Sequence, residues 1–208
     1  MSATIPTGTQ TESDVLDVRA DIWEKRPLLR TIYQRYFAEM VSLLAITPAA
    51  KTSAPTAPAR RYGVILEIGG GSGNFKDFFS RRHPGEGTLI ASDIVPTPHC
   101  DLAADATALP FPDASLDNII MQDVLHHIPF PLRFLSEAER TLRPSGRLVM
   151  TEPYISPASR LVFALAHPEP VLPRARLFAR TPGEPDPSPI PAGACGAFAS
   201  NQATPTRL

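Results

Sequence analysis

The chain has 208 residues and a formal net charge of −1 at pH 7. This length suits one domain with an appended segment, because compact domains commonly hold about 100 to 200 residues. Acidic and basic residues are interspersed, so no extended basic surface is predicted and nucleic acid is disfavoured as a partner. Cys100 and Cys195 are too few for a disulfide framework or a four-thiolate zinc site, and we predict no metal centre.

The amino-terminal residues carry neither a basic region nor an apolar core of the kind found in signal peptides. No stretch approaches the ~18 apolar residues that a membrane span requires. We therefore expect a soluble, cytoplasmic protein that has no membrane partner.

Residues 1–46 are predicted to form a helical segment. Between Leu28 and Leu44 the apolar residues recur at a spacing of three and four, which indicates one apolar stripe on a helix, and Pro27 suits its first turn. A shorter helix from about Asp14 to Lys25 carries Trp23. Two interpretations of Trp23 and the neighbouring tyrosines stay open, namely packing between helices and a lid over a substrate.

The remainder divides into a linker at 47–60, a core at 61–166 and a proline-rich tail at 167–208 that we expect to be disordered. In the core, apolar β-prone runs alternate with helical segments, in the order VILEI, NFKDFFSRR, TLIASD, LDNIIMQ, PLRFLSEAERTLR and RLVMTE. This alternation predicts an α/β fold, a Rossmann-like three-layer αβα sandwich with a mainly parallel sheet.

Two helices of the core are expected to place an apolar stripe on the sheet. One stripe consists of Phe75, Phe78 and Phe79, and the other of Leu132, Leu135 and Leu142. The segment LRPSG, with its proline and glycine, is expected to end the second of these helices.

The segment VILEIGGGSG is the strongest chemical signal in the chain. The apolar strand Val64–Ile68 runs into four glycines, Gly69, Gly70, Gly71 and Gly73, and a helix follows from near Asn74. Glycines let a backbone approach a ligand closely, and a helix N-terminus presents unpaired N–H groups. The pattern predicts a nucleotide-type pocket at the carboxyl end of a strand.

The acidic residues distinguish two kinds of nucleotide ligand. A dinucleotide fingerprint needs a third glycine where Asn74 stands, so a nicotinamide-dependent oxidoreductase is the weaker alternative. Glu67 ends the strand, where it can receive an ammonium group. Asp93 ends the run TLIAS, where a carboxylate can accept hydrogen bonds from ribose hydroxyls, although it also suits a simple turn.

Together these residues resemble motif I and the next acidic position of the class I S-adenosylmethionine-dependent methyltransferases, small-molecule branch. The stretches DLAADATALPFPDASLDNIIMQDVLHHIP and LRPSGRLVMTEP are similar to the family's later segments, so the resemblance extends from Tyr62 to Pro153. It implies S-adenosyl-L-methionine as cofactor and a small-molecule methyl acceptor as partner. The implied cofactor residues are Glu67, Gly69, Gly70, Gly71, Gly73, Asp93, Ile94, Asp105, Ala106 and Gln122.

The resemblance implies a part for each of these positions. Glu67 and the glycines would line the methionine end, Asp93 would hold the ribose hydroxyls, and Ile94 would flank the adenine. Asp105 would accept from the adenine amino group and Ala106 would supply its backbone N–H.

Gln122 would lie under the cofactor at the end of the fourth strand. The weaker catalytic candidates, Asp123, His126 and His127, follow that strand. A histidine there could deprotonate a hydroxyl acceptor, or it could equally be a cap or a wall of the site.

The carboxyl end departs from the family pattern. Members continue past the fifth strand through a helix into an antiparallel strand pair, whereas here only YISPASRLVFALAH could form that helix before the tail begins. We expect the strand pair to be lacking and attribute the tail to truncated or out-of-frame coding sequence. An exposed fifth strand could pair with a second copy or a partner subunit. The alternative to an active enzyme is therefore an inactive cofactor-binding subunit.

Overall fold

The computed structural model describes residues 22–46 and 61–153 and arranges them around one five-stranded sheet. The strands are β1 (Val64–Ile68), β2 (Thr88–Asp93), β3 (Leu102–Ala103), β4 (Leu116–Gln122) and β5 (Leu142–Thr151). The helices are α1 (Pro27–Ser42), α2 (Asn74–Arg82) and α3 (Pro131–Thr141), and a 3₁₀ turn covers Leu125–His127. The predicted linker and the predicted proline-rich tail lie outside the described residues.

All neighbouring strands are parallel, in the order β3-β2-β1-β4-β5. The chain proceeds from β1 outward to β2 and β3, then crosses back to place β4 on the other side of β1. In parallel sheets the crevice at such a reversal, beside the carboxyl ends of the strands, is the usual ligand site. The predicted mainly parallel, Rossmann-like sheet is confirmed.

Helices cover both faces of this sheet. On one face α1 and α2 pack together over β1 and β4, through the buried residues Phe37, Met40, Val41, Phe75, Phe78, Phe79, Ile65 and Ile120. On the other face α3 packs through Phe134 and Ala138, against Leu66, Leu116, Ile119 and Met121. Alternate strand residues supply the two faces because successive side chains of a strand point to opposite sides. The three-layer prediction is confirmed.

The predicted amino-terminal helix forms, with Pro27 in its first turn, and its carboxyl-terminal half is fixed to the sheet. Buried Asn118 of β4 accepts from the Ala45 backbone N–H at 2.7 Å and donates to the carbonyls of Ala45 and Tyr62. Residues 22–25 are also helical, and the Trp23 ring contacts Tyr33 and Phe37. Among the described residues, Trp23 therefore acts in helix packing.

The apolar stripe predicted for α3 was wrong. Leu135 is exposed, while Leu132 and Leu142 are only partly buried. The buried face is formed by Pro131, Phe134, Ala138 and Thr141, at a spacing of three, four and three residues. This face is favoured because it turns the large Phe134 ring inward and leaves Arg133 and Arg140 free to bond the segment that precedes β4.

Two elements differ from the sequence prediction in their bounds. The helix ends at Thr141, so LRPSG opens β5 instead of closing α3, and a register shift in the β4–β5 pairing accommodates it. Ser145 there has φ 71°. The two-residue strand β3 was not predicted, because two residues are too few to show a period.

β5 is the outermost strand on its side of the described sheet. The predicted lack of a further antiparallel strand pair concerns residues after 153, which lie outside the described part of the chain. None of the helices in the described ranges is long and apolar enough to cross a bilayer.

Candidate functional site

The glycines after β1 form a tight turn, here called the glycine turn (residues 69–73), which leads directly into α2. Gly69, Gly71 and Gly73 have φ of 74°, 45° and 75°. At Gly69 a Cβ would lie 2.3 Å from Cγ2 of Val124, so this position admits no larger residue without rearrangement. Gly73 precedes the first residue of α2, so the N–H groups of that helix face the turn.

Asp93 supports the glycine turn from the end of β2. Its Oδ2 accepts from the Gly71 backbone N–H at 2.9 Å, and its Oδ1 accepts from the Val95 N–H at 3.2 Å. The neighbouring Ser92 carbonyl accepts from the Gly70 N–H at 2.9 Å. Asp93 thus lies beside the glycine turn and fixes its shape.

Glu67 is a buried acid near the end of β1. Its side chain is 6% exposed, and Oε2 is buried without a hydrogen-bond partner among the described residues. Burial raises the pKa of Glu67 to about 8; Lys76 opposes this shift, while Asp101 and Asp93 add to it. An unsatisfied carboxyl oxygen at the base of a ligand turn is suited to a cationic group of a ligand.

The loop after β2 packs over the glycine turn, and sequence reasoning did not predict its part in the site. Thr97 Oγ1 donates to the Gly71 carbonyl at 3.0 Å and accepts from the Cys100 backbone N–H. A Cβ on Gly73 would approach the Cβ of His99 to 2.8 Å. Asp101 holds the end of this loop, accepting from the Ala91 N–H and from Lys76.

The residues predicted to surround an adenine lie on the β2 and β3 side of the same edge. The Ile94 side chain is 72% exposed. Asp105 is also exposed, and its Oδ1 accepts from the backbone N–H and the hydroxyl of Thr107, both at 2.8 Å. Ala106 packs against the core on the α3 side. Asp105 therefore has a structural role as a turn residue in addition to any ligand contact.

The segment after β4 approaches the glycine turn from the other side. Gln122 ends β4, adjacent to the end of β1 in register, and Asp123 follows with φ 54°. Tyr33 of α1 donates its hydroxyl to Asp123 Oδ2 at 3.1 Å. The amino-terminal helix therefore contributes a polar group to this edge, a contact across 90 residues that the sequence pattern could not reveal.

Glu152, just after β5, connects to this same segment. Its Oε1 accepts from the backbone N–H groups of Val124 and Leu125 at 3.0 and 2.7 Å, and its Oε2 lies 2.5 Å from Nδ1 of His126. His127 is more exposed, with its ring 4.1 Å from that of His126. The partly buried Glu152 carboxylate thus holds the His126 ring in place.

Within residues 22–46 and 61–153, no group of three or more His, Cys, Asp or Glu side chains is arranged to hold a metal ion. The structure instead brings the ends of β1, β2 and β4 together around the glycine turn. The buried Glu67 carboxyl lies at its base, with Oε2 lacking a hydrogen-bond partner among the described residues, and Asp93 lies at its side. These features fit the cofactor implied by the resemblance, which carries both an ammonium group and ribose hydroxyls.

Comparisons with known proteins agree with this geometry. The model of the methyltransferase domain family matches residues 66–150. An uncharacterized methyltransferase from Mycobacterium sp. (strain JLS) is 32% identical over 103 residues, covering 46% of this chain and 40% of that protein. The 27-O-demethylrifamycin SV methyltransferase of Amycolatopsis mediterranei is 42% identical over 55 residues, covering 26% of this chain and 20% of that protein.

A solved structure shows the same fold. It is assigned as an S-adenosyl-L-methionine-dependent methyltransferase of Methanococcus maripaludis and superposes with a TM-score of 0.53 at 12% identity, covering 78% of this chain and 74% of that one. The chain spans less than half the length of the two curated relatives described above. Over residues 66–150, the chain is thus similar to the methyltransferase domain family.

Proposed function

We propose that this chain binds S-adenosylmethionine at the glycine turn and transfers its methyl group to a small-molecule acceptor. The observation that carries the proposal is the buried Oε2 of Glu67 at the base of that turn, which has no hydrogen-bond partner among the described residues. A binding site for an ammonium group gives a physical reason for an acid at a position where burial disfavours its charge. The protein is expected to act in the cytoplasm.

The residues at this edge of the sheet bind different portions of the cofactor. Glu67 binds the ammonium group, and the glycine turn admits the methionine portion because it has no side chains in the way. Asp93 binds the ribose hydroxyls while it continues to accept from the Gly71 N–H. Ile94, Asp105 and Ala106 surround the adenine, and Gln122 lies under the cofactor.

When bound, the cofactor supplies a methyl group already activated on a sulfonium. No covalent intermediate with the protein is required, so positioning the acceptor in line supplies much of the rate, up to several kcal/mol. Tyr33, Asp123 and the 3₁₀ turn lie on the side of the glycine turn where an acceptor would enter. These residues orient the acceptor and exclude water from it.

Two observations support a small molecule as the acceptor. The net charge of −1 gives no basic surface for a nucleic acid. One relative is, by its name, a methyltransferase of 27-O-demethylrifamycin SV, a small organic molecule.

A methyl-transfer assay tests this function. We expect the purified chain, given methyl-labelled S-adenosylmethionine and a panel of small alcohols, phenols, amines and thiols, to label at least one acceptor and form S-adenosylhomocysteine. The Asp93→Ala variant serves as the control and is expected to form neither product. Cofactor binding without transfer to any acceptor would favour the inactive cofactor-binding subunit, and equal product from both proteins would contradict the proposal.

A further inference from the structure

The side chain of Thr97 connects two segments of the candidate site through a single hydroxyl group. Oγ1 donates to the Gly71 carbonyl at 3.0 Å and accepts from the backbone N–H groups of His99 and Cys100, both at 3.2 Å. A threonine hydroxyl has one hydrogen to donate and two lone pairs, so this geometry uses its whole hydrogen-bonding capacity. The hydroxyl hydrogen is therefore directed at the Gly71 carbonyl, while the same oxygen holds the loop between β2 and β3 in shape.

The backbone of Gly71 is bonded at both of its polar groups. Its N–H donates to Asp93 Oδ2 at 2.9 Å and its carbonyl accepts from Thr97, while its φ of 45° lies in the left-handed region. The N–H groups of Gly70 and Gly73 are bonded as well, to backbone carbonyls. Glycine has more conformational freedom than any other residue, so bonds of this kind are needed to keep the glycine turn in one shape.

The loop that carries Thr97 is stiff and packs closely on the glycine turn. Pro96 and Pro98 flank the threonine, and proline fixes φ at about −65°. A Cβ on Gly70 would approach Sγ of Cys100 to 3.1 Å, although Gly70 itself is not in the left-handed region. The closeness of the loop, and not the backbone conformation, therefore disfavours a side chain at that position. The loop is a fixed support for the turn.

We propose that Thr97 is a positioning residue for S-adenosylmethionine, an inference that rests on the proposed function. Its hydroxyl holds the Gly71 carbonyl, so that the glycine turn has its binding shape before the cofactor arrives. A ligand that meets an ordered turn loses no affinity to the ordering of that turn. Without the hydroxyl, the Gly71 carbonyl loses this partner and the turn samples further conformations. Thr97 thus acts through Gly71 and needs no contact of its own with the cofactor.

Two substitutions at this position separate the hydroxyl from the size of the side chain. Thr97→Val removes the hydroxyl at nearly the same size, whereas Thr97→Ser keeps it. We expect Thr97→Val to bind S-adenosylmethionine and S-adenosylhomocysteine about tenfold more weakly than the wild type, and Thr97→Ser to bind within about twofold of it. Thr31→Val is the matched control, because the Thr31 hydroxyl donates to the Pro27 carbonyl at 2.9 Å on the exposed side of α1. This control should bind as the wild type does.

Hydrogen exchange in the cofactor-free proteins tests the positioning directly. In the wild type the N–H groups of Gly70, Gly71 and Gly73 should exchange slowly, because each is bonded within the protein. Exchange over residues 69–73 should be faster in Thr97→Val and should return to the wild-type rate in Thr97→Ser. A wild-type turn that exchanges freely without cofactor overturns the positioning role, even where Thr97→Val fails to fold.

Calorimetry and hydrogen exchange together separate this inference from the proposed function. A wild type that binds neither compound contradicts the proposed function, and a role of Thr97 in cofactor binding with it. Where the wild type binds, the role of Thr97 alone is overturned by a folded Thr97→Val protein with unchanged affinity or unchanged exchange over residues 69–73, or by a loss that Thr97→Ser does not restore. Weaker binding together with faster exchange, both restored in Thr97→Ser, supports the role.

Discussion

Replacement of Gly69 by alanine is expected to abolish cofactor binding and to destabilise the fold. The residue has φ 74°, and an added Cβ would lie 2.3 Å from Cγ2 of Val124. The left-handed backbone costs alanine about 1 to 2 kcal/mol, and overpacking of a fixed core contact costs about 1 to 3 kcal/mol more. Val124 cannot easily move aside, because its backbone N–H is bonded to Glu152.

Two further variants separate the causes of this effect. Gly85→Ala places alanine at φ 77° in the turn after α2 and should show the backbone cost alone, with cofactor binding intact. Adding Val124→Ala to Gly69→Ala should recover part of the lost stability, since it removes the clash but not the unfavourable φ. Urea unfolding with cofactor titration measures both, and Gly69→Ala behaving like Gly85→Ala would contradict the predicted clash.

Cofactor binding is expected to become tighter as the pH rises towards 8, because Glu67 must lose a proton to bind an ammonium group. Burial raises the pKa of Glu67 to about 8, with Lys76 opposing this effect and Asp101 and Asp93 adding to it; Cys100 also lies close to it. Below that pH the free protein holds the proton. The dissociation constant should therefore fall by about tenfold per pH unit between roughly pH 5.5 and 7.5.

The same acid makes the stability of the cofactor-free protein depend on pH in the opposite sense. Its pKa is 4.5 in the unfolded chain and about 8 when folded, so the folded state holds a proton that the unfolded state lacks between these values. Stability from this group is complete below about pH 4.5 and decreases towards pH 8, by about 1.4 kcal/mol per pH unit.

Glu67→Gln tests both effects, because glutamine resembles the neutral acid and does not titrate. In the variant, the free energy of unfolding should no longer fall between pH 4.5 and 8 through titration of residue 67. The variant should also bind the cofactor at least about tenfold more weakly at pH 7.5. Calorimetry in buffers of different ionisation enthalpy should show proton release with the wild type only. Equal proton release from both proteins would exclude Glu67 as its source.

Local patterns predicted the elements that determine the fold. The apolar run Val64–Ile68 before a glycine cluster specifies both a buried strand and the turn after it, and the structure forms both. Phe75, Phe78 and Phe79 were also predicted to face the sheet and do so. In each case a few consecutive residues carry the prediction, because the spacing of the apolar residues and the residue types indicate the same element.

The errors arose where tertiary contacts decide between local alternatives. Leucines at 132 and 135 suggested one face of α3, but Phe134 fills the space over the sheet better, and the helix is rotated accordingly. LRPSG has the composition of a helix stop, yet it pairs with β4 through a register shift. Composition alone could not distinguish a stop from an irregular strand.

The positions of Glu67, Asp93 and Gln122 near strand ends were predictable, because each follows or ends a short apolar run. The contacts that connect distant parts of the chain were not. Tyr33 reaches Asp123, and Glu152 reaches His126, across 90 and 26 residues. Glutamate after a strand has many structural uses, so only the folded arrangement indicates that it holds a histidine.

Calorimetric titration of the purified chain with S-adenosylmethionine and S-adenosylhomocysteine tests the central claim most directly. We predict saturable binding in the micromolar range, about 8 kcal/mol. Asp93→Ala should weaken it by about 100-fold or more, because the variant loses both the bond to the Gly71 N–H and the proposed contact with the ribose. Asp113→Ala, at an 80% exposed aspartate, should bind as the wild type does. A folded wild-type chain that binds neither compound, or an Asp93→Ala protein that binds equally well, would contradict the account.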